Sequence, residues 1–174
     1  VAEASAAEQL IGTALIEAKY SSELVIGSQA GHGRLFESSG SIPPVVGETT
    51  TYTVTMVALG GVNDLTDVIF NTSLPVYVEW TDNVTGDGDV VYNPVSKQIE
   101  WKPGNILSGG RKEVSFQLEI TPSLSQRGQT PVLLRRQTAR ATDRFTGERL
   151  QADADPVLNE LSTEAGYAKD NGVV

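Results

Sequence analysis

The sequence predicts an all-β fold, an antiparallel sandwich of two sheets preceded by a short N-terminal arm. Three observations carry that expectation. Val and Thr, stiff at χ1 and suited to a pleated surface, number 19 and 16 among 174 residues. Short segments alternate apolar and polar residues with a period of two. Gly and Pro, 17 and 8 in number, punctuate these segments with turn signals.

The elements follow in chain order. In residues 1–20, Leu10, Ile11, Ala14, Leu15 and Ala18 share a face at helical spacing. Gly12 costs about 1 kcal/mol in a helix interior, and 13–20 also reads as a strand; helix is the preferred reading. Residues 24–26 and 34–37 are strand candidates ahead of the Pro43-Pro44 breaker. In 49–59, Tyr52, Val54, Met56 and Ala58 alternate with Thr51, Thr53, Thr55 and Val57. Residues 65–71 place Val68 and Phe70 together, and 76–80 place Val76, Val78 and Trp80 together. Residues 90–92 and 99–102 form a hairpin around Asn93-Pro94-Val95-Ser96. Residues 113–120 alternate strictly, with Val114, Phe116, Leu118 and Ile120 inward and Glu113, Ser115, Gln117 and Glu119 toward water. Residues 132–142 and 149–158 form a last hairpin, turning at 143–147. The chain divides into an arm, 1–20, and a sandwich, 21–174.

Composition excludes several function classes. Without cysteine there is no disulfide, thiol catalysis or Cys-ligated metal, and a single His argues against His-based metal sites. A net charge of −9 makes nucleic acid an unfavourable partner. No apolar run reaches the ~20 residues needed to span a bilayer, so no membrane insertion is expected. Since the first residue is Val, the chain reads as a processed product or fragment.

Several segments, in order, resemble one family. They are 40–54 (Gly-Ser-Ile-Pro-Pro-Val-Val-Gly-Glu-Thr-Thr-Thr-Tyr-Thr-Val), Asn63-Asp64-Leu65-Thr66-Asp67-Val68, Leu74-Pro75 with Tyr77-Val78-Glu79-Trp80, and Tyr92-Asn93-Pro94 with Ile99-Glu100-Trp101. Glu113-Val114-Ser115-Phe116-Gln117, Thr121-Pro122-Ser123-Leu124-Ser125-Gln126 and Thr142-Asp143-Arg144-Phe145-Thr146-Gly147 follow. Together they resemble an immunoglobulin-like repeat domain of unknown function from large bacterial cell-surface proteins, closest to variants in candidate-phyla-radiation bacteria. The resemblance runs from about Ser21 to Val174. It implies an immunoglobulin-like sandwich in a non-enzymatic, extracellular, cell-surface structural or adhesive module, and it transfers no catalytic or ligand residue. One departure is Ala58-Leu59-Gly60-Gly61-Val62, where such repeats carry an Asn/Ser-rich stretch.

Four candidate sites stand out from the residues. Asp82, Asn83, Asp87 and Asp89 offer hard oxygens in a Gly-bearing stretch, a weak calcium candidate without the bidentate Glu of an EF-hand; a solvated loop is the competing reading. Arg135, Arg136 and Arg140, with Arg144 and Arg149 beyond, form a weak polyanion candidate; protection of an edge strand is the competing reading. Leu10, Ile11, Leu15 and Ile16 make an apolar assembly arm able to dock on another copy or neighbouring domain, which would make the protein a homo-oligomer or filament subunit. Trp80 reads as core, whereas Trp101 beside Tyr92 would suggest carbohydrate if exposed. His32, between glycines, reads as an exposed turn residue. Lys19, Lys97, Lys102 and Lys112 are the plausible donors for an isopeptide bond. No nucleophile elbow and no carboxylate in an apolar segment is present, so no catalytic residue and no cofactor is expected.

Overall fold

The computed structural model describes residues 18–33, 35–161, 167 and 171–174. Eleven strands appear among them: β1 (Leu24–Gly31), β2 (Thr50–Gly60), β3 (Leu65–Ser73), β4 (Val78–Gly86), β5 (Asp89–Asn93), β6 (Gln98–Lys102), β7 (Arg111–Ile120), β8 (Val132–Leu134), β9 (Gln137–Asp143), β10 (Arg149–Ala154) and β11 (Val157–Leu158). One sheet has the order β1-β2-β7-β4, a second has β10-β9-β3-β6-β5, and β11 pairs with β8. All ladders are antiparallel. Without β5 and β6, the two orders are those of a constant-type immunoglobulin sandwich: four strands against β3, β9 and β10. The β5–β6 hairpin widens the second sheet beside β3.

The core follows from the period-2 faces. Tyr52, Val54, Met56 and Ala58 of β2 and Val114, Phe116, Leu118 and Ile120 of β7 are buried. They face Val68 and Phe70 of β3, Ile99 and Trp101 of β6, and Ala139 and Ala141 of β9. Trp101 is fully buried against Phe70, with ring centroids 5.3 Å apart. Its indole N–H donates to Asp87 O at 2.7 Å, which meets the polar demand of a buried Trp.

Several sequence expectations need correction. Residues 35–37 lie outside any strand. The segment before β2 instead lies over the outer face of the first sheet. Gln117 Nε2 donates to Glu37 O at 2.8 Å, and the Ser39 amide donates to Thr51 Oγ1 at 2.7 Å. Ser115, Gln117, Thr51 and Thr53 are therefore buried rather than wet. Val76, expected inward, is exposed because β4 starts only at Val78. Residues 132–142 divide into β8 and β9 at Arg135 and Arg136, and 149–158 divide into β10 and β11. β9 lies between β10 and β3, so the arginine-bearing strand is not an edge. The Ala58–Val62 departure continues β2 to Gly60 and then packs on two neighbours: the Gly61 amide donates to Glu23 O, and Gly61 O accepts from the Gly109 amide.

The true edges of the main sheets are β1, β4, β5 and β10. β4 is blunted in two ways. Lys97 Nζ donates to Val76 O at 3.1 Å and Val78 O at 2.8 Å. Asp82, at φ 62, interrupts the register between Trp80 and Val84. Gly88 makes the β4–β5 passage possible: its φ is 73, and a Cβ there would collide with Lys102 O.

Ser22 and Val174 lie at opposite ends of the sandwich. β2 runs from Thr50, opposite Ile120, to Gly60, opposite Leu24. Ser22 lies at the Gly60 end, held by Asp143. Val174 lies at the Ile120 end, where its amide donates to Gln129 O at 3.1 Å and its carbonyl accepts from the Gly128 amide at 2.9 Å.

Candidate functional site

The acidic stretch is strand and turn rather than a loop around a cavity. β4 extends through Asp82 and Asn83 to Gly86, and Asp89 begins β5. Asp82 Oδ1 accepts the Trp80 indole N–H at 2.7 Å. Asn83 Nδ2 donates to Gln117 Oε1 at 2.7 Å. Asp87 Oδ2 accepts the Glu113 amide at 3.0 Å, and its Oδ1 pairs with Lys112 at 3.0 Å. The Glu113 amide, then Lys112, hold the Asp87 carboxyl below its ordinary value. Asp89 is exposed opposite Lys102. Asp82, Asn83 and Asp87 thus point to separate protein partners, and no cluster of three or more acidic or His ligands occurs among the described residues. Calorimetric titration with calcium is expected to show at most weak binding; a sub-micromolar affinity abolished by Asp87→Ala would contradict this.

Arg135 and Arg136 stand exposed at the break between β8 and β9, and Arg140 stands exposed on the outer face of β9. Arg149 joins them from β10. It is opposite Thr142 while Arg140 is opposite Gln151, which makes the two arginines diagonal neighbours. A groove of about 420 Å³ lies beside them, lined by Asp67, Arg140, Thr142, Arg149 and Gln151. The β3 irregularity at Asp67, φ 52, shapes its wall. Leu10, Ile11, Leu15 and Ile16 lie outside the described residues.

Of the two tryptophans, Trp80 departs from the core position expected of it. Trp101 is core, while Trp80 is only half-buried. Trp80 stacks on Tyr92 at 5.1 Å and 17°, and it lies 5.0 Å from Phe116. An edge-strand side chain has a neighbour on one side only, so Trp80 remains at the margin between the sheets.

Two polar clusters escaped the sequence reading. Asp143, fully buried, accepts the Ser22 amide at 2.6 Å, Asn63 Nδ2 at 2.9 Å, and the Phe145 and Thr146 amides at 2.8 and 2.9 Å. Burial alone would raise its pKa, yet these donors together hold the carboxyl far below the ordinary range. The sequence signal was an Asp opening a Gly-closed turn, Asp143 to Gly147, which is a pattern of self-capping turns. The second cluster surrounds His32, which is packed between Tyr52 and Tyr167 rather than standing exposed in a turn. His32 Nδ1 and Tyr167 Oη are 3.1 Å apart. Burial pushes the Tyr52 hydroxyl up to about 12, against the opposing effect of Asn159.

Neither a family model nor a curated protein sequence matches the chain. Three solved structures illustrate what it is similar to. One is a D312A form of BcpA, the major pilin subunit of Bacillus cereus, with 12% identity and a TM-score of 0.46 over 78% of this chain and 40% of that one. Another is the full-length major pilin SpaD of Corynebacterium diphtheriae, with 13% identity and a TM-score of 0.45 over 76% and 35%. The third is a GH20 exo-β-N-acetylglucosaminidase of Vibrio harveyi, with 12% identity and a TM-score of 0.43 over 78% and 18%. The chain spans well under half the length of each.

The four lysines considered as isopeptide donors have the following neighbours, of which only Asp87 has the acceptor chemistry of a Lys–Asn/Asp bond. Lys97 pairs with Glu79, Lys102 with Glu100, and Lys112 with Asp87, while Lys19 lies over the Phe145 ring. No helix among the described residues is long and apolar enough to cross a membrane.

Proposed function

We propose that the chain is a non-enzymatic structural or adhesive module of a larger secreted or anchored cell-surface protein. The observation that carries this reading is that Ser22 and Val174 are held at opposite ends of a packed sandwich. Tension applied between Ser22 and Val174 runs along the strands. It loads the interstrand hydrogen bonds in shear, where several must break together, rather than one at a time as in peeling. The negative net charge opposes indiscriminate aggregation of such modules. The segments quoted above as resembling bacterial surface repeats support the same reading. Stretching a tandem array of the domain between a surface and a probe tests it. Discrete, regularly spaced force peaks are expected; smooth extension at low force would remove the load-bearing role.

A second reading is a subunit of an extracellular filament or layer, assembled through residues 1–20. Apolar side chains exposed at both ends of the sandwich favour it. Tyr20, Val62, Leu107 and Phe145 stand at the Ser22 end, and Val76, Val95 and Leu124 at the Val174 end. Two different patches meeting head to tail form an open chain of copies. Light scattering on the full chain and on a form lacking residues 1–20 separates the readings. A monomer in both cases supports the single module, whereas polymers lost on deletion support the filament.

A further inference from the structure

The cations of the described residues fall into two groups. Lys97, Lys102, Arg111, Lys112 and Arg144 each meet a carboxylate, and Lys19 covers an aromatic ring. Arg127, Arg135, Arg136, Arg140 and Arg149 meet none, in a chain with 22 acidic and 13 basic side chains. The second group occupies one stretch of sequence, and three of its members stand in line. Arg136 precedes β9, and Arg140 follows four residues on, about 13 Å away at the rise of a strand. Arg149 adds a third guanidinium, roughly 7–8 Å diagonally across from Arg140. Like charges so placed repel, and the fold offers them no counter-charge bond. Two carboxylates border the strip without forming an ion pair with it: Asp67 lines the groove beside Thr66 Oγ1, and Asp153, the other diagonal neighbour of Arg140, accepts from Thr138 Oγ1 at 2.9 Å.

We propose that this strip, Arg136–Arg140–Arg149 with the Asp67–Gln151 groove beside it, binds an extended anionic glycopolymer whose phosphate or carboxylate groups recur along the chain. Guanidinium forks donate paired N–H bonds to either group in bidentate fashion. A strip about 20 Å long, at the spacings above, engages several repeats of a linear polymer, whereas a single small anion meets one arginine or two. The groove supplies the Thr142 hydroxyl and the Gln151 amide for neutral sugar hydroxyls. This role is additional to the load-bearing one and stands without it.

The test uses the whole chain, with long-chain polyphosphate, polygalacturonate and neutral dextran as probes, in biolayer interferometry across a salt series. Binding to polyphosphate, to polygalacturonate or to both, but not to dextran, is expected. Binding to one alone assigns the recurring group as phosphate or carboxylate. The double variant Arg140→Gln/Arg149→Gln should weaken binding at least ten-fold at low salt and flatten the salt slope by about one per arginine removed. Its melting temperature should be unchanged, since both side chains are exposed. Arg111→Gln, at a paired arginine elsewhere, should leave binding unaltered. No binding to either polyanion, equal binding to dextran, or equal loss in Arg111→Gln would overturn the proposal.

Discussion

Truncating Phe116 to Ala is expected to destabilise the protein by about 3–5 kcal/mol, the usual cost of removing a fully buried aromatic ring. Phe116 sits at the middle of β7, opposite Val54 of β2 on one side and Val84 of β4 on the other. It has no exposed surface. Its ring lies 5.0 Å from Trp80, which in turn stacks on Tyr92 from the other sheet. The ring therefore joins the two sheets as well as filling space. Its removal loses the transfer free energy of the side chain and leaves a cavity that the flanking strands, hydrogen-bonded to β7, cannot close. Against a total stability of about 5–15 kcal/mol for a domain, that is a large fraction. Urea unfolding should show a lower midpoint with an unchanged slope. A loss under about 1 kcal/mol would mean that the β7 register is wrong.

Replacing Asp143 by Asn should remove much of the acid dependence of stability. The carboxylate is held by four donors from three separate segments: Ser22 before β1, Asn63 between β2 and β3, and the amides of Phe145 and Thr146 in its own turn. Its folded pKa lies below the unfolded value of about 3.9. Its contribution is therefore complete above the unfolded pKa and is lost as pH falls toward the folded one. Asn keeps the shape but presents an N–H₂ group to donors and does not ionise. The variant should be clearly less stable than the parent at pH 7, and the gap should shrink steadily below about pH 4. Urea midpoints of both proteins between pH 7 and pH 2.5 measure this. A gap that stays constant over that range would show that Asp143 acts through packing and not through its charge.

The candidate sites were legible to different degrees for identifiable reasons. The arginines were visible as residue types, but their grouping was not. Arg149 reaches Arg140 only because β10 pairs with β9 in one register. The stretch from Asp82 to Asp89 read as a loop because it is polar and Gly-rich. Yet β4 continues through it, since an edge strand at the sheet margin needs no inward apolar residue at every second position. Asp143 was invisible as a structural centre because its partners Ser22 and Asn63 are remote in sequence.

Local alternation was enough to specify the sandwich class and most of its interior. Alternation in residues 49–59 and 113–120 is local, and each strand carries its own record of which face meets the core. Val54, Met56, Val68, Phe70, Val78, Val114, Phe116 and Leu118 are all buried as that record required. What covers the opposite face, and which strands end a sheet, depend on contacts between remote parts of the chain. Ser115 and Gln117 are polar and alternate outward, but the segment from residue 35 to 46 folds over them and hydrogen-bonds to Gln117. Trp80 and Trp101 both sit on inward faces; β6 lies between β3 and β5, whereas β4 has a neighbour on one side alone. Burial at a sheet margin depends on neighbours brought in from distant parts of the chain, and periodicity within one strand carries no information about them.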